Sequence, residues 1–197
     1  EAPRRAESQY SLLVAQMHAD GYAVESYVMP LIVDERQAGS TLLRRIAGLV
    51  DVPVDREVLM LYSSFSRPRG AGTLWSYAQH AQAVGVGSTG GGVSVGGADQ
   101  VRPLDWGELG RDLLLARRWC QDIYIFSLEG CVRQGFLARL KSLDWDSPVP
   151  PPLDAANQVR QFRRVLRTAL WLSAHPVAVL GALFVLARFT SRPRRKE

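Results

Sequence analysis

Apolar and polar residues are arranged along residues 1–146 in a way that predicts helices and strands in turn. Apolar residues at helical spacing predict five helices: Arg4–Ala19, Ser40–Leu49, Leu74–Ala83, Asp105–Cys120 and Cys131–Leu143. Runs rich in β-branched and aromatic residues predict four strands: Tyr22–Val33, Val58–Ser64, Val84–Ser88 and Ile123–Leu128. Asp105 and Glu108 have the spacing of a capping box, which predicts the start of the fourth helix.

This order, with a helix after each strand, predicts an α/β fold of four consecutive βα units around a parallel sheet buried on both faces. A complete (β/α)8 barrel needs about 250 residues. Four units therefore favour the C-terminal half of a TIM-type barrel whose first half lies outside this chain. An independently folded, four-stranded doubly wound sheet is the alternative.

The stretch from 168 to 187 predicts a C-terminal transmembrane helix. Sixteen of its twenty residues are Ala, Leu, Val, Trp, Phe or Gly, and none is charged. Twenty helical residues span about 30 Å, the thickness of the hydrocarbon core. We therefore expect a single-pass membrane anchor, with the side of the membrane left open. A buried C-terminal helix is the alternative.

The distribution of charge supports this division of the chain. Residues 1–157 carry 15 Lys or Arg and 18 Asp or Glu, whereas residues 158–197 carry nine and one. The formal net charge of +5 therefore belongs to the last forty residues, and a nucleic-acid-binding face on the body is not supported. We predict a domain over 1–146, a proline-rich linker over 147–157 and a basic-flanked anchor over 158–197. An ordered segment wrapped on the body is the alternative for the linker.

Two glutamates at predicted strands are the candidate catalytic residues, because functional groups of parallel α/β folds gather at strand ends. Glu25 lies within a strand made mostly of apolar and aromatic residues, and Glu129 follows the last strand. If both reach one cleft, they form the carboxylate pair of a glycosidase. The alternatives are an ion pair with an arginine for Glu25 and a place near a helix N-terminus for Glu129.

Glycine is concentrated in Gly85–Gly97, where seven of thirteen residues are Gly. Such a loop lets a backbone approach a ligand and can form an anion nest. It supplies four candidate ligand contacts: Ser88, Thr89, Gly90 and Gly91. A flexible loop without a ligand is the alternative.

The remaining chemistry-bearing residues predict no cofactor and no metal site. The three histidines, His18, His80 and His175, are scattered along the chain. The two cysteines, Cys120 and Cys131, flank a predicted strand that holds them too far apart for a disulfide.

The segments YAVESYVMP, REVLMLYSSF, AVGVGSTGGGV and DIYIFSLEGCVRQGFL resemble the later strands of a glycoside-hydrolase-type (β/α)8 barrel, as found in bacterial membrane-attached proteins. The resemblance covers about residues 1–146 and implies carbohydrate binding in the barrel mouth. It implies that Glu25 and Glu129 are catalytic and that Tyr27, Tyr62 and Trp75 contact sugar.

These observations predict a membrane-anchored carbohydrate-active protein that hydrolyses glycosidic bonds, with a carbohydrate and the lipid bilayer as partners. Two alternatives stay open. One is a non-catalytic membrane-tethered domain that binds a sugar or a partner. The other is a phosphate-binding α/β protein that uses Gly90, Gly91 and Gly92.

Overall fold

The computed structural model describes residues 2–83, 88–94 and 102–177 of the 197-residue chain. The described strands are β1 Glu25–Val28, β2 Arg56–Leu59, β3 Ser88–Ser94 and β4 Ile123–Phe126, and a 3-10 turn covers Ser63–Ser66. The described helices are α1 Ala2–Ala19, α2 Leu31–Gln37, α3 Leu42–Ala47, α4 Gly70–Ala83, α5 Trp106–Arg117, α6 Leu128–Arg133, α7 Phe136–Lys141 and α8 Leu153–Ala174.

The four strands form one parallel sheet in the order β1-β2-β3-β4. Glu25 pairs with Arg56, and Arg56 pairs with Ser88. On the other side of β3, Gly92 pairs with Tyr124. Because side chains alternate between the two faces of a strand, this register decides which residues share a face of the sheet.

The core lies between one face of this sheet and helices α4 and α5. Leu59 of β2 is buried together with Leu74 of α4 and with Leu109 and Leu113 of α5. Helix α5 begins at the capping box predicted from the sequence, in which Asp105 and Glu108 bond to each other's backbone N–H groups. That prediction is confirmed.

Three predicted strands have other bounds in the structure. The strand predicted over Tyr22–Val33 ends at Val28, and helix α2 follows directly after Pro30. The strand predicted over Val58–Ser64 is Arg56–Leu59. The third strand is Ser88–Ser94, whereas residues 84–87 of its predicted range lie outside the described residues.

Helix α8 packs on the body of the protein. Ala156, Val159, Arg163 and Leu170 are buried along one side of it. It crosses α4 so closely that a Cβ placed on Gly72 would lie 2.5 Å from the backbone carbon of Ala155. Glycine at this position therefore permits the contact between the two helices.

The predicted fold, the C-terminal half of a TIM-type barrel, is wrong. Helix predominates over a small sheet whose strands have four or seven residues, and the described residues show no barrel. The prediction also placed residues 158–197 in an anchor separate from the domain. Residues 158–174 instead belong to α8, which packs on α2 and α4. Strand order alone cannot distinguish a barrel wall from a small open sheet.

The predicted single-pass membrane anchor, and with it the membrane localisation, is also wrong. Across residues 2–83, 88–94 and 102–177, no helix is both long and apolar enough to span a bilayer. The helix that enters the predicted span ends at Ala174, directly before His175 and Pro176. Proline lacks the N–H that would continue the helix. Residues 178–187 of the span lie outside the described residues.

The predicted linker over 147–157 is ordered in the structure. Val149 packs against the core, and residues from Leu153 onwards belong to α8. This is the ordered arrangement that the sequence left open as the alternative.

Candidate ligand-binding face

The face of the sheet that points away from α5 carries aromatic and charged side chains. By register and alternation, Tyr27 of β1, Arg56 of β2, and Tyr124 and Phe126 of β4 share this face. Strand β3 presents Gly90 and Gly92 in the same rows. We refer to this surface, together with the neighbouring Tyr62 and Phe65, as the aromatic face.

Two tyrosines from opposite edges of the sheet meet on the aromatic face. The rings of Tyr27 and Tyr124 are 6.0 Å apart and nearly perpendicular. Their strands are three inter-strand spacings apart, about 14 Å at about 4.8 Å per spacing. The rings therefore lean towards each other, and the glycines of β3 leave room for this because they have no side chain.

Three further rings form an exposed strip. Tyr62 lies 5.9 Å from Phe65 and 6.0 Å from Phe126, with the second pair stacked. Phe65 and Phe126 are each 57% exposed. Burial, and to a smaller extent Tyr27, raises the pKa of the Tyr62 hydroxyl, so that this hydroxyl stays neutral and can both donate and accept a hydrogen bond.

A polar cluster adjoins these rings at the beginning of the strands. Arg56 Nη1 donates to the Tyr124 hydroxyl at 2.7 Å, and that hydroxyl donates to Glu25 Oε1 at 3.0 Å. The same nitrogen lies 3.2 Å from Glu25 and 3.1 Å from Asp122. The bond to Tyr124 and the two carboxylates raise the pKa of Arg56. Glu25 thus forms an ion pair with an arginine, which was the alternative to a catalytic role for this residue.

An apolar groove of about 620 Å³ continues from the strip. Tyr62 and Phe65 belong to both, and Phe162 of α8 lies on the groove's helical side. The other lining residues are Met29, Pro30, Leu31, Met60, Ser66, Arg69, Thr73, Tyr77, Gln158 and Val159. The aromatic face and this groove together offer a long, largely apolar surface with a polar cluster at one end.

The structure does not bring the two predicted catalytic glutamates together. Glu25 begins β1, whereas Glu129 follows the end of β4 on the far side of a parallel sheet. The two positions differ by the length of a four-residue strand, at about 3.3 Å per residue, and by three strand spacings across the sheet. Their separation is therefore well over the roughly 10 Å limit for a glycosidase pair. Glu129 lies in the first turn of α6 and pairs with Arg133 at 2.5 Å.

The other predicted contacts lie in different surroundings. Tyr27 and Tyr62 belong to the aromatic face, but Trp75 is 7% exposed and packs edge-on against Trp119 in the core. Ser88, Thr89, Gly90 and Gly91 are strand residues of β3, paired with β2. Their backbone therefore serves the sheet and does not form a loop. Residues 85–87 and 95–97 of the glycine-rich stretch lie outside the described residues.

Sequence reasoning missed Arg56, Tyr124 and Phe126. The signal was present as alternation: Tyr124 and Phe126 are two residues apart in a strand and so share one face. The contact of Arg56 with Glu25 depends on the strand register, which a single sequence does not give. Over the described ranges, no group of three His, Cys, Asp or Glu side chains is placed to hold a metal ion.

Comparison with known proteins identifies no relative: no protein-family model, curated protein or solved structure matches the chain. The proposal for function therefore rests on the geometry of the aromatic face.

Proposed function

We propose that this protein binds a carbohydrate on its aromatic face and does not hydrolyse it. The observation that carries the proposal is the strip of Tyr62, Phe65 and Phe126, in which two of the three rings are more than half exposed. Exposed apolar surface of this kind marks interaction sites in proteins.

The chemistry of a sugar ring suits such a strip. A pyranose has a face of C–H groups and a rim of hydroxyls. The π face of an aromatic ring carries negative charge density and attracts the weakly positive C–H groups. The rings of Tyr62 and Phe126 are stacked with an interplanar angle of 23°, so that their edges and faces offer an extended surface to consecutive sugar units.

The polar cluster supplies the hydrogen bonds that a carbohydrate needs for orientation. Glu25 and Asp122 are hydrogen-bond acceptors held by Arg56, while the Tyr124 hydroxyl both donates and accepts. Binding sites commonly combine apolar walls with a few fixed polar groups in this way.

The arrangement of carboxylates favours binding over hydrolysis. A glycosidase needs one carboxyl group free to donate a proton and a second that acts as base or nucleophile. Glu25 and Asp122 both contact the same arginine nitrogen, and Glu129 is paired with Arg133. We therefore assign Glu25 to orientation of the ligand.

A glycan array probed with the labelled protein tests the proposal, followed by calorimetry on the glycans it retains. We expect Tyr62→Ala and Phe126→Ala to weaken binding by roughly tenfold each, because each removes about 1–1.5 kcal/mol of stacking. Tyr10→Ala is the matched control, since Tyr10 is 52% exposed on α1.

Three outcomes decide between the alternatives. Selective loss in the Tyr62 and Phe126 variants, with no released sugar, supports the proposal. Retention of no glycan, or an equal loss in the Tyr10 variant, contradicts it. Release of reducing sugar that Glu25→Gln abolishes would instead show a hydrolase.

A further inference from the structure

Four arginines of α8 lie on one side of the helix and form a second concave surface. Arg160, Arg163, Arg164 and Arg167 follow one another at spacings of three, one and three residues, which places them on one face. With Ser76 and Gln79 of α4 they line a pocket of about 330 Å³. We refer to this surface as the arginine pocket.

The innermost arginine is held rigidly. Arg163 is 4% exposed, and its Nε lies 3.0 Å from both carboxylate oxygens of Asp34. Its Nη1 donates to the carbonyl oxygen of Ser76 at 2.7 Å and to Ser76 Oγ at 3.1 Å. The guanidinium also lies over the ring of Tyr77, 4.0 Å from its centroid. These contacts fix the guanidinium before any ligand arrives.

One nitrogen of this fixed group has an ion-pair contact but no hydrogen bond. Arg163 Nη2 is buried and makes no hydrogen bond, although it lies 3.0 Å from Asp34 Oδ1. Buried polar groups are nearly always hydrogen-bonded, and an exception is a place to look for a water or an ion.

Positive charge in the pocket exceeds what its neighbours neutralise. Asp34 balances one of the four guanidinium groups, and no described carboxylate lines the pocket. Arg160 donates to Asn157 and Arg167 to Gln37, which are both neutral amides. Arg167 Nε also lies 3.8 Å from Asp34 Oδ1, so that Arg163 and Arg167 share this single negative charge. Among the described residues, the side chain of Arg164 has no hydrogen-bond or ion-pair partner.

We propose that the arginine pocket binds a phosphate group. A tetrahedral oxyanion accepts hydrogen bonds from several planar guanidinium forks at once, and such charge-assisted bonds are the strongest in proteins. Arg163 provides the fixed base of the site, while the more exposed Arg160, Arg164 and Arg167 close around the anion. This site is separate from the aromatic face and does not depend on carbohydrate binding.

Thermal unfolding with inorganic phosphate tests the proposal, with chloride at the same ionic strength as the reference. We expect a saturable rise in Tm with phosphate. In the double variant Arg160→Ala/Arg164→Ala the affinity falls by roughly a hundredfold, because two charged donors to the anion are removed.

The double variant Arg5→Ala/Arg45→Ala is the matched control. It removes the same charge from two exposed arginines of α1 and α3, so that a general effect of net charge appears equally in both variants. Equal losses in the two variants, or a rise in Tm that chloride reproduces, would overturn the proposal.

A phosphate group can come from a soluble ester or from a lipid headgroup. Co-sedimentation with phosphatidylcholine vesicles, with and without phosphatidic acid, distinguishes these sources. Sedimentation that requires phosphatidic acid and Arg164 identifies a headgroup, whereas phosphate stabilisation without it identifies a soluble ligand. Absence of both effects contradicts the site.

Discussion

The buried ion pair between Asp34 and Arg163 gives the sharpest prediction about stability. Asp34 is fully buried and accepts hydrogen bonds from Arg163 and, at 2.6 Å, from the Tyr77 hydroxyl. Asp34→Asn leaves the Arg163 guanidinium buried without its counter-ion. Arg163→Met leaves the buried carboxylate with only the more distant Arg167, whose Nε lies 3.8 Å from Asp34 Oδ1. Each change should lower the free energy of unfolding by about 3–5 kcal/mol, a large part of the usual total of about 5–15 kcal/mol.

The double variant Asp34→Asn/Arg163→Met measures the interaction energy between the two side chains, separately from the effect of each single change. Because neither charge is left alone, we expect it to cost about 2 kcal/mol less than the two single changes together. Tyr77→Phe removes one hydrogen bond and should cost about 1 kcal/mol, which keeps the series measurable if a charge variant does not fold.

Urea denaturation followed by far-UV circular dichroism measures all four variants. The result also tests the placement of α8, since the pair joins α2 to a helix 129 residues later in the chain. Single changes that each cost less than about 1 kcal/mol, or a double variant whose cost equals the two single costs combined, would refute a buried, coupled pair.

Three further predictions follow from other buried positions. Gly72→Ala places a Cβ against the backbone of α8 and should lower the free energy of unfolding by about 1–3 kcal/mol. Gly107→Ala is the control and should have no such effect, because the atom nearest to the added Cβ is 3.4 Å away. Thermal unfolding of both variants measures the difference. Burial raises the pKa of Asp112, so its contribution to stability is present below about pH 4 and is lost as the pH rises through the folded-state pKa. Asp112→Asn should therefore gain stability relative to the wild type as the pH rises above about 4, the ordinary pKa of an aspartate. Urea denaturation at a series of pH values measures the difference, and a constant difference contradicts the shift. Cys120 and Cys131 are free and buried, and burial raises the pKa of both thiols, that of Cys120 to about 11. Both cysteines should therefore react with Ellman's reagent only after unfolding. Fast reaction of the native protein would contradict their burial.

The parts of the fold that local sequence determines were predictable. The capping box at Asp105 depends on two residues three apart, and the strand Ile123–Phe126 follows from a short run of β-formers. The expectation that the cysteines form no disulfide is likewise confirmed, because both are free. Such features need no knowledge of the rest of the chain.

The position of α8 was not predictable in this way. The apolar run from 168 suggested a membrane span, and the arginines before it suggested a flank. Their packing role depends on Asp34, far away in sequence. A local signal did exist, since Ala156, Val159, Arg163 and Leu170 recur at helical spacing on the buried side, but a buried arginine within that stripe is interpretable only with its partner known.

The candidate site was predictable in part. Tyr27 and Tyr62, which the resemblance to a barrel implied as sugar contacts, lie on the aromatic face, and their contact with sugar stays a prediction. Trp75 has the same chemistry but lies in the core. The pairing of Glu25 with Arg56 depends on register, and a shift by one residue would place these side chains on the opposite face.

Saturation-transfer NMR between the protein and a glycan retained on the array tests the central claim most directly. If the aromatic face binds the sugar, saturation reaches the C–H protons of one pyranose face, and it is reduced in Tyr62→Ala but unchanged in Tyr10→Ala. Saturation that is the same in both variants would contradict the account.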